Sequence, residues 1–140
     1  MRKILVLTLA SLALPSVAAS SEIDCNDPLN TVEINHCAQR EVDAAQAELT
    51  KYFQASLDQH ADDPTLITAL RTAQHAWEAF AAAHCDAIYT QWRGGTIRAL
   101  MALSCREQLT RARTHQLWQA FLADMDGNAD LPEPPQPKQP

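Results

Sequence analysis

Cys85 and Cys105 stand nine residues before Gly94 and ten residues after Gly95, nearly mirror images about a double glycine. If both flanks are helices joined by a turn at Gly94-Gly95, a rise of about 1.5 Å per residue puts the two cysteines at one height, roughly 14 Å from the turn. A bond between them would staple a helical hairpin, provided the helices approach to a Cα separation of about 5.5 Å. Two further cysteines, Cys25 and Cys37, leave three pairings open. Cys25–Cys37 with Cys85–Cys105 is preferred, because both bonds are local and the second fits the hairpin symmetry. Oxidised cysteines are not thiolate nucleophiles, which argues against a cysteine enzyme.

Disulfides need an oxidising compartment, and the start of the chain points to one. Met1-Arg2-Lys3 is a positive segment, Ile4 to Leu14 an apolar run, and Val17-Ala18-Ala19 a small-residue cleavage site, so residues 1–19 read as a secretory signal peptide. No cysteine ends this leader, so no lipid anchor is expected. Loss of Arg2 and Lys3 with the leader takes the formal net charge from −6 to −8. An acidic chain offers no broad basic surface to nucleic acid or anionic lipid, and no later stretch is apolar for long enough to span a bilayer. Three glycines and a 6% aromatic content argue against a many-turned β barrel or sandwich.

Three amphipathic segments follow the leader. Asn30 as N-cap with Glu33 three residues on forms a capping box, and Ile34, Ala38, Val42, Ala45, Leu49, Tyr52 and Ser56 make one helical face ending near His60. Asp63-Pro64 starts a second helix, with a stripe of Leu66, Leu70, Ala73, Trp77, Phe80, Ala81, His84 and Ile88 running to Gly94-Gly95. Thr96 is the expected cap of a third, whose face is Ile97, Met101, Cys105, Leu109 and Ala112. There the pattern shifts: Leu117, Trp118, Phe121, Leu122 and Met125 gather on another side, so either the helix bends or its end shows apolar surface. The expected fold is all-α, an antiparallel three-helix bundle over residues 20–126 stapled by two disulfides. Residues 127–140, rich in proline, are expected to form a disordered tail.

The turn Trp92-Arg93-Gly94-Gly95-Thr96 is the candidate partner-binding element, since Trp and Arg on a stapled hairpin are rigid anchors; its plainer reading is a pair of helix caps. The displaced patch of Trp118, Phe121, Leu122 and Met125 either docks a partner or covers the ends of the other helices. Arg106, Arg111 and Arg113 are expected to pair with Glu41, Asp43 or Glu48. Glu33-Ile34-Asn35-His36 has the Glu-x-x-His spacing of di-iron bundles, but no second copy exists and Glu33 is already a cap. His84 is expected as a hydrogen-bonded core histidine. No Ser-His-Asp order, phosphate loop or zinc spacing occurs, so neither catalytic residues, metal nor cofactor is expected.

Cys37, Leu49 and Tyr52, then Leu70-Arg71-Thr72-Ala73-Gln74-His75-Ala76-Trp77, Phe80, Cys85-Asp86, Gly94-Gly95-Thr96-Ile97, Cys105, Leu109-Thr110, Arg113 and Leu117, resemble the LprI-type lysozyme-inhibitor family. The resemblance covers residues 25 to 118 and is most specific in its Gln-x-x-Trp, cysteine, Gly-Gly-[Ser/Thr]-Ile order. It implies a periplasmic or secreted helical domain that binds a protein partner, c-type lysozyme, and inhibits it. Lysozymes of that class are strongly cationic, which suits a chain of this acidity. The alternative is a periplasmic structural or envelope-stress protein with a non-lysozyme partner.

Overall fold

The computed structural model describes residues 23–137; the expected leader, residues 1–19, lies outside them. Three helices follow one another as α1 (Thr31–Gln59), α2 (Pro64–Gln91) and α3 (Arg98–Leu117), and α3 passes directly into a π-helical turn at Trp118–Leu122. The first two begin as their capping residues dictate. Asn30 Oδ1 accepts the amides of Val32 and Glu33, both at 3.0 Å. Glu33 reaches back to the amide of Leu29 at 2.7 Å, one residue before the cap, and to the Asn30 side-chain amide at 2.8 Å. Asp63 Oδ1 likewise accepts from Thr65 and Leu66, with Pro64 at the first helical position where its missing N–H costs nothing.

The helices form the expected all-α bundle, up, down and up, with α3 lying against both α1 and α2. Its parts are segregated along the axis. At the base, where α1 ends and α2 begins, Leu49, Leu57, Leu70 and Leu117 form the apolar core, with Phe53, Leu66, Ile67, Trp77 and Phe121 packed on it. At the far end stand both disulfides, Cys25–Cys37 with a Cα separation of 5.5 Å and Cys85–Cys105 with 5.7 Å, as the hairpin symmetry requires. Between them runs a charged girdle. Arg111 bonds Glu107 at 2.7 Å and Glu41 at 3.2 Å and lies 3.6 Å from Glu48, so one guanidinium joins three carboxylates of α1 and α3. Its hydrogen bond to Glu107 and the two other carboxylates hold its pKa above the usual arginine value against the opposing effect of burial. Arg106 pairs instead with Asp86, and Arg113 with the Gln74 amide oxygen at 3.1 Å; Asp43 takes no arginine and accepts from Gln39. Burial pushes the Arg113 guanidinium down, because no carboxylate answers it.

Two expected faces and one expected cap are corrected. In α2, Gln74 and Cys85 are buried while Ala73, Phe80 and His84 are exposed, so the stripe advances by 4, 4, 3, 4, 4, 3 from Leu66 and the expected core histidine is outside, stacked on Phe80 at 5.5 Å. In α3 the buried positions are Glu107, Thr110, Thr114 and Leu117. A central helix is covered on two sides, and its polar seam toward α1 has no apolar periodicity to read. Thr96 does not cap α3: Ile97 takes that position with no side-chain bond, because the first helical hydrogen bond, Met101 N to the Ile97 carbonyl, starts one residue later.

The shift in pattern after Ala112 has its cause in the π-helical turn. Ala123 N donates to the Trp118 carbonyl five residues back, and the extra residue per turn swings Trp118 and Leu122 onto Tyr52 while Phe121 joins the leucine core. His60 Nε2 donates to the Phe121 carbonyl that this winding leaves free. Met125 alone of that patch is fully exposed.

Residues 127–137, the described part of the tail, lie against the bundle. Gly127, at φ 80°, reverses the chain, with Asp124 accepting the amides of Asp126 and Asn128. Ala129 and Leu131 then pack on Tyr52, Trp118 and Leu122, and Pro134 is fully buried. His115 Nε2 lies 2.8 Å from Glu133 Oε1. That hydrogen bond, with a second from Gln136, holds the Glu133 carboxyl below the usual carboxylate range. A carboxylate whose pKa is depressed on folding supports the folded form above its ordinary value, and that support is lost as pH falls through the depressed value. Tail docking should therefore be intact at neutral pH and loosen below about pH 4. Amide hydrogen exchange at Glu133 and Gln136 would show it, and protection unchanged down to about pH 2.5 would refute it.

Candidate functional site

The tip of the bundle is built by the ends of α2 and α3. The last amides of α2 close on themselves, Trp92 N to the Ile88 carbonyl and Arg93 N to that of Thr90, and Gly95 N returns to the Trp92 carbonyl at 2.9 Å. Gln91 through Arg98 are all exposed. The candidate residues Trp92, Arg93, Gly94, Gly95 and Thr96 thus form one continuous surface. To them the structure adds Tyr89, Ile97 and Arg98, which sequence reasoning missed. Arg98 lies over the Tyr89 ring at 5.0 Å, a cation–π contact across the turn, and Arg93 Nη1 donates to the Thr90 carbonyl.

Neither glycine of this turn is required by the backbone. Both have negative φ, and a Cβ at Gly94 would meet nothing within 4 Å. What they leave is bare main chain, open to close approach, between Trp92 and Ile97. Because Glu41 of α1 meets Arg111 and Tyr52 meets Trp118, α1 and α3 run parallel and the start of α1 lies at the tip end. There Leu29 is 81% and Val32 75% exposed. Of the seven large apolar residues exposed among the described residues, five (Leu29, Val32, Tyr89, Trp92 and Ile97) therefore share one end of the bundle. Tyr89, Trp92 and Ile97 stand within about two turns of the Cys85–Cys105 bond, and Leu29 and Val32 lie inside the loop that Cys25–Cys37 closes.

The other candidates resolve differently. Trp118, Phe121 and Leu122 of the displaced patch are packed inside and only its Met125 is outside, and Glu33 serves as a cap. Among the described residues no group of three or more His, Cys, Asp and Glu is placed to hold a metal ion, and no helix is long and apolar enough to cross a membrane.

An uncharacterized protein of Rhizobium meliloti (strain 1021) is 30% identical over 114 residues, covering 74% of this chain and 82% of that protein. No solved structure matches. A family model described as lysozyme inhibitor LprI matches residues 25–117, from the first cysteine to the buried Leu117 where α3 ends, and on this match the chain belongs to the LprI lysozyme inhibitor family.

Proposed function

We propose that this chain is an exported inhibitor that binds a c-type lysozyme, with the α2–α3 tip entering the enzyme's cleft. The observation that carries this reading is the tip itself: exposed Trp92, Ile97 and Tyr89, two arginines and bare main chain at Gly94, held by a disulfide. Lysozyme works through two carboxylates in an open cleft. Arg93 and Arg98 are of the right sign for that cleft, while the acidic body draws in a cationic enzyme from a distance. The family's description as a lysozyme inhibitor supports the partner, and two disulfides fit the periplasm or the exterior as compartment.

The test is lysis of cell-wall substrate by c-type lysozymes with the oxidised protein present. Inhibition is expected at micromolar protein or below, and its absence would refute the proposal. Trp92→Ala and Arg93→Ala should each weaken inhibition about tenfold, the scale of an interface anchor. Their melting temperatures should not move, since neither side chain is buried. Equal potency in both variants would remove the tip from the interface.

A further inference from the structure

We propose that the groove between α1 and α3 at the base of the bundle is a docking site for proline-rich extended segments carrying an acidic residue, filled here by the chain's own Leu131–Pro137. The Tyr52 hydroxyl donates to the Pro132 carbonyl at 2.7 Å, and the Trp118 indole Nε1 donates to the Leu131 carbonyl at 3.0 Å. Both donor side chains are buried, Tyr52 to 2% exposure, so each needs an acceptor from whatever covers it. His115, tilted against Trp118, offers a third polar contact, taken by Glu133, and Pro134 fills a closed socket.

The groove's side chains donate to successive carbonyls of the docked segment. An ordinary chain would bring an amide N–H into the socket at Pro134 with nothing to receive it, whereas proline brings none. Proline also fixes φ beforehand, so little backbone freedom is lost on docking. Aromatic walls with donors aimed at the carbonyls of a proline-rich ligand are the chemistry by which proteins recognise such segments in trans. Here the tail arrives through the exposed turn at Asp124–Asn128, and a short tether gives it an effective concentration of the order of millimolar. In the intact chain it therefore excludes any weaker competitor.

The experiment keeps the whole chain and cuts only the tether, through a protease site inserted beside the fully exposed Met125. Labelled peptide with the sequence of residues 127–140 is then titrated into the nicked protein, with anisotropy and circular dichroism as readouts. The nicked protein should stay helical and exchange its tail for the peptide saturably. The intact chain should take up peptide at least about tenfold more weakly, because its own tail competes. Peptide carrying Pro134→Asp should bind at least about tenfold more weakly than the parent, since a charge does not enter the socket. Loss of helix on tail release would make the tail part of the core. No exchange in a helical nicked protein, equal uptake by the intact chain, or indifference to Pro134→Asp would each overturn the proposal.

Discussion

Replacing Cys85 and Cys105 together by alanine should cost about 3 kcal/mol of stability and lower the melting temperature by roughly 10 °C. Alanine suits better than serine, because Cys85 is fully buried and a hydroxyl there would need a partner. The bond closes a 20-residue separation, which alone gives a chain-entropy contribution near that size. Its position adds a second reason. The leucine core lies at the base, and among the buried apolar residues of the three helices and the π-helical turn only Ala45 and Cys85 fall outside the two base clusters. The upper halves of α2 and α3 are thus held mainly by the sulfur bridge. Inhibition should fall further than the melting temperature alone requires, since a tip on splayed helices must be ordered again on binding. Removing Cys25 and Cys37 instead should cost less, because that bridge ties only the segment before α1 to its second turn. A hairpin variant that melts within about 3 °C of the parent would show that side-chain packing holds the tip without the staple.

The Cys85–Cys105 pairing and the starts of α1 and α2 were legible because each rests on local chemistry: nearly equal distances from a turn, Asn30 with Glu33, Asp63 with Pro64. Three other features were not. His84 and Phe80 share a helical face with Trp77 to within one residue, and only contact with α3 decides that Cys85 is inside. The π-helical turn left a trace, the displaced Trp118 and Leu122, but a changed period is ambiguous between a bend and a patch until a partner such as Tyr52 is seen. The docking of residues 131–137 is not legible because a proline-rich segment carries no apolar period of its own, and the donors that meet it come from Tyr52 and Trp118 far away in sequence. Of the tip, Trp92 through Thr96 were visible as a turn. Leu29 and Val32 joined them only once α1 and α3 proved parallel, since their sequence distance from Trp92 gives no hint of it.

Arg111→Met should destabilise the bundle by about 2–3 kcal/mol at neutral pH, although methionine preserves most of the packed stem. The guanidinium is 14% exposed and Glu107 beside it 11%, so removing the cation strands a carboxylate with little access to water. Glu48, at 27%, is partly stranded too, while Glu41, at 53%, turns to solvent, which keeps the cost below that of a fully buried pair. Arg111 itself titrates far above any working pH, so it sets no pH dependence in the parent. The variant differs: acid neutralises the abandoned carboxylates and removes the cost of burying their charge. Its deficit against the parent should therefore shrink as pH falls from 7 toward about 4, which urea unfolding at several pH values would measure. Glu107→Gln in the Arg111→Met background should restore at least about 1 kcal/mol at pH 7, by taking away the most enclosed negative charge. A deficit that does not change with pH, and no restoration by Glu107→Gln, would mean that Arg111 acts through its stem and not its charge.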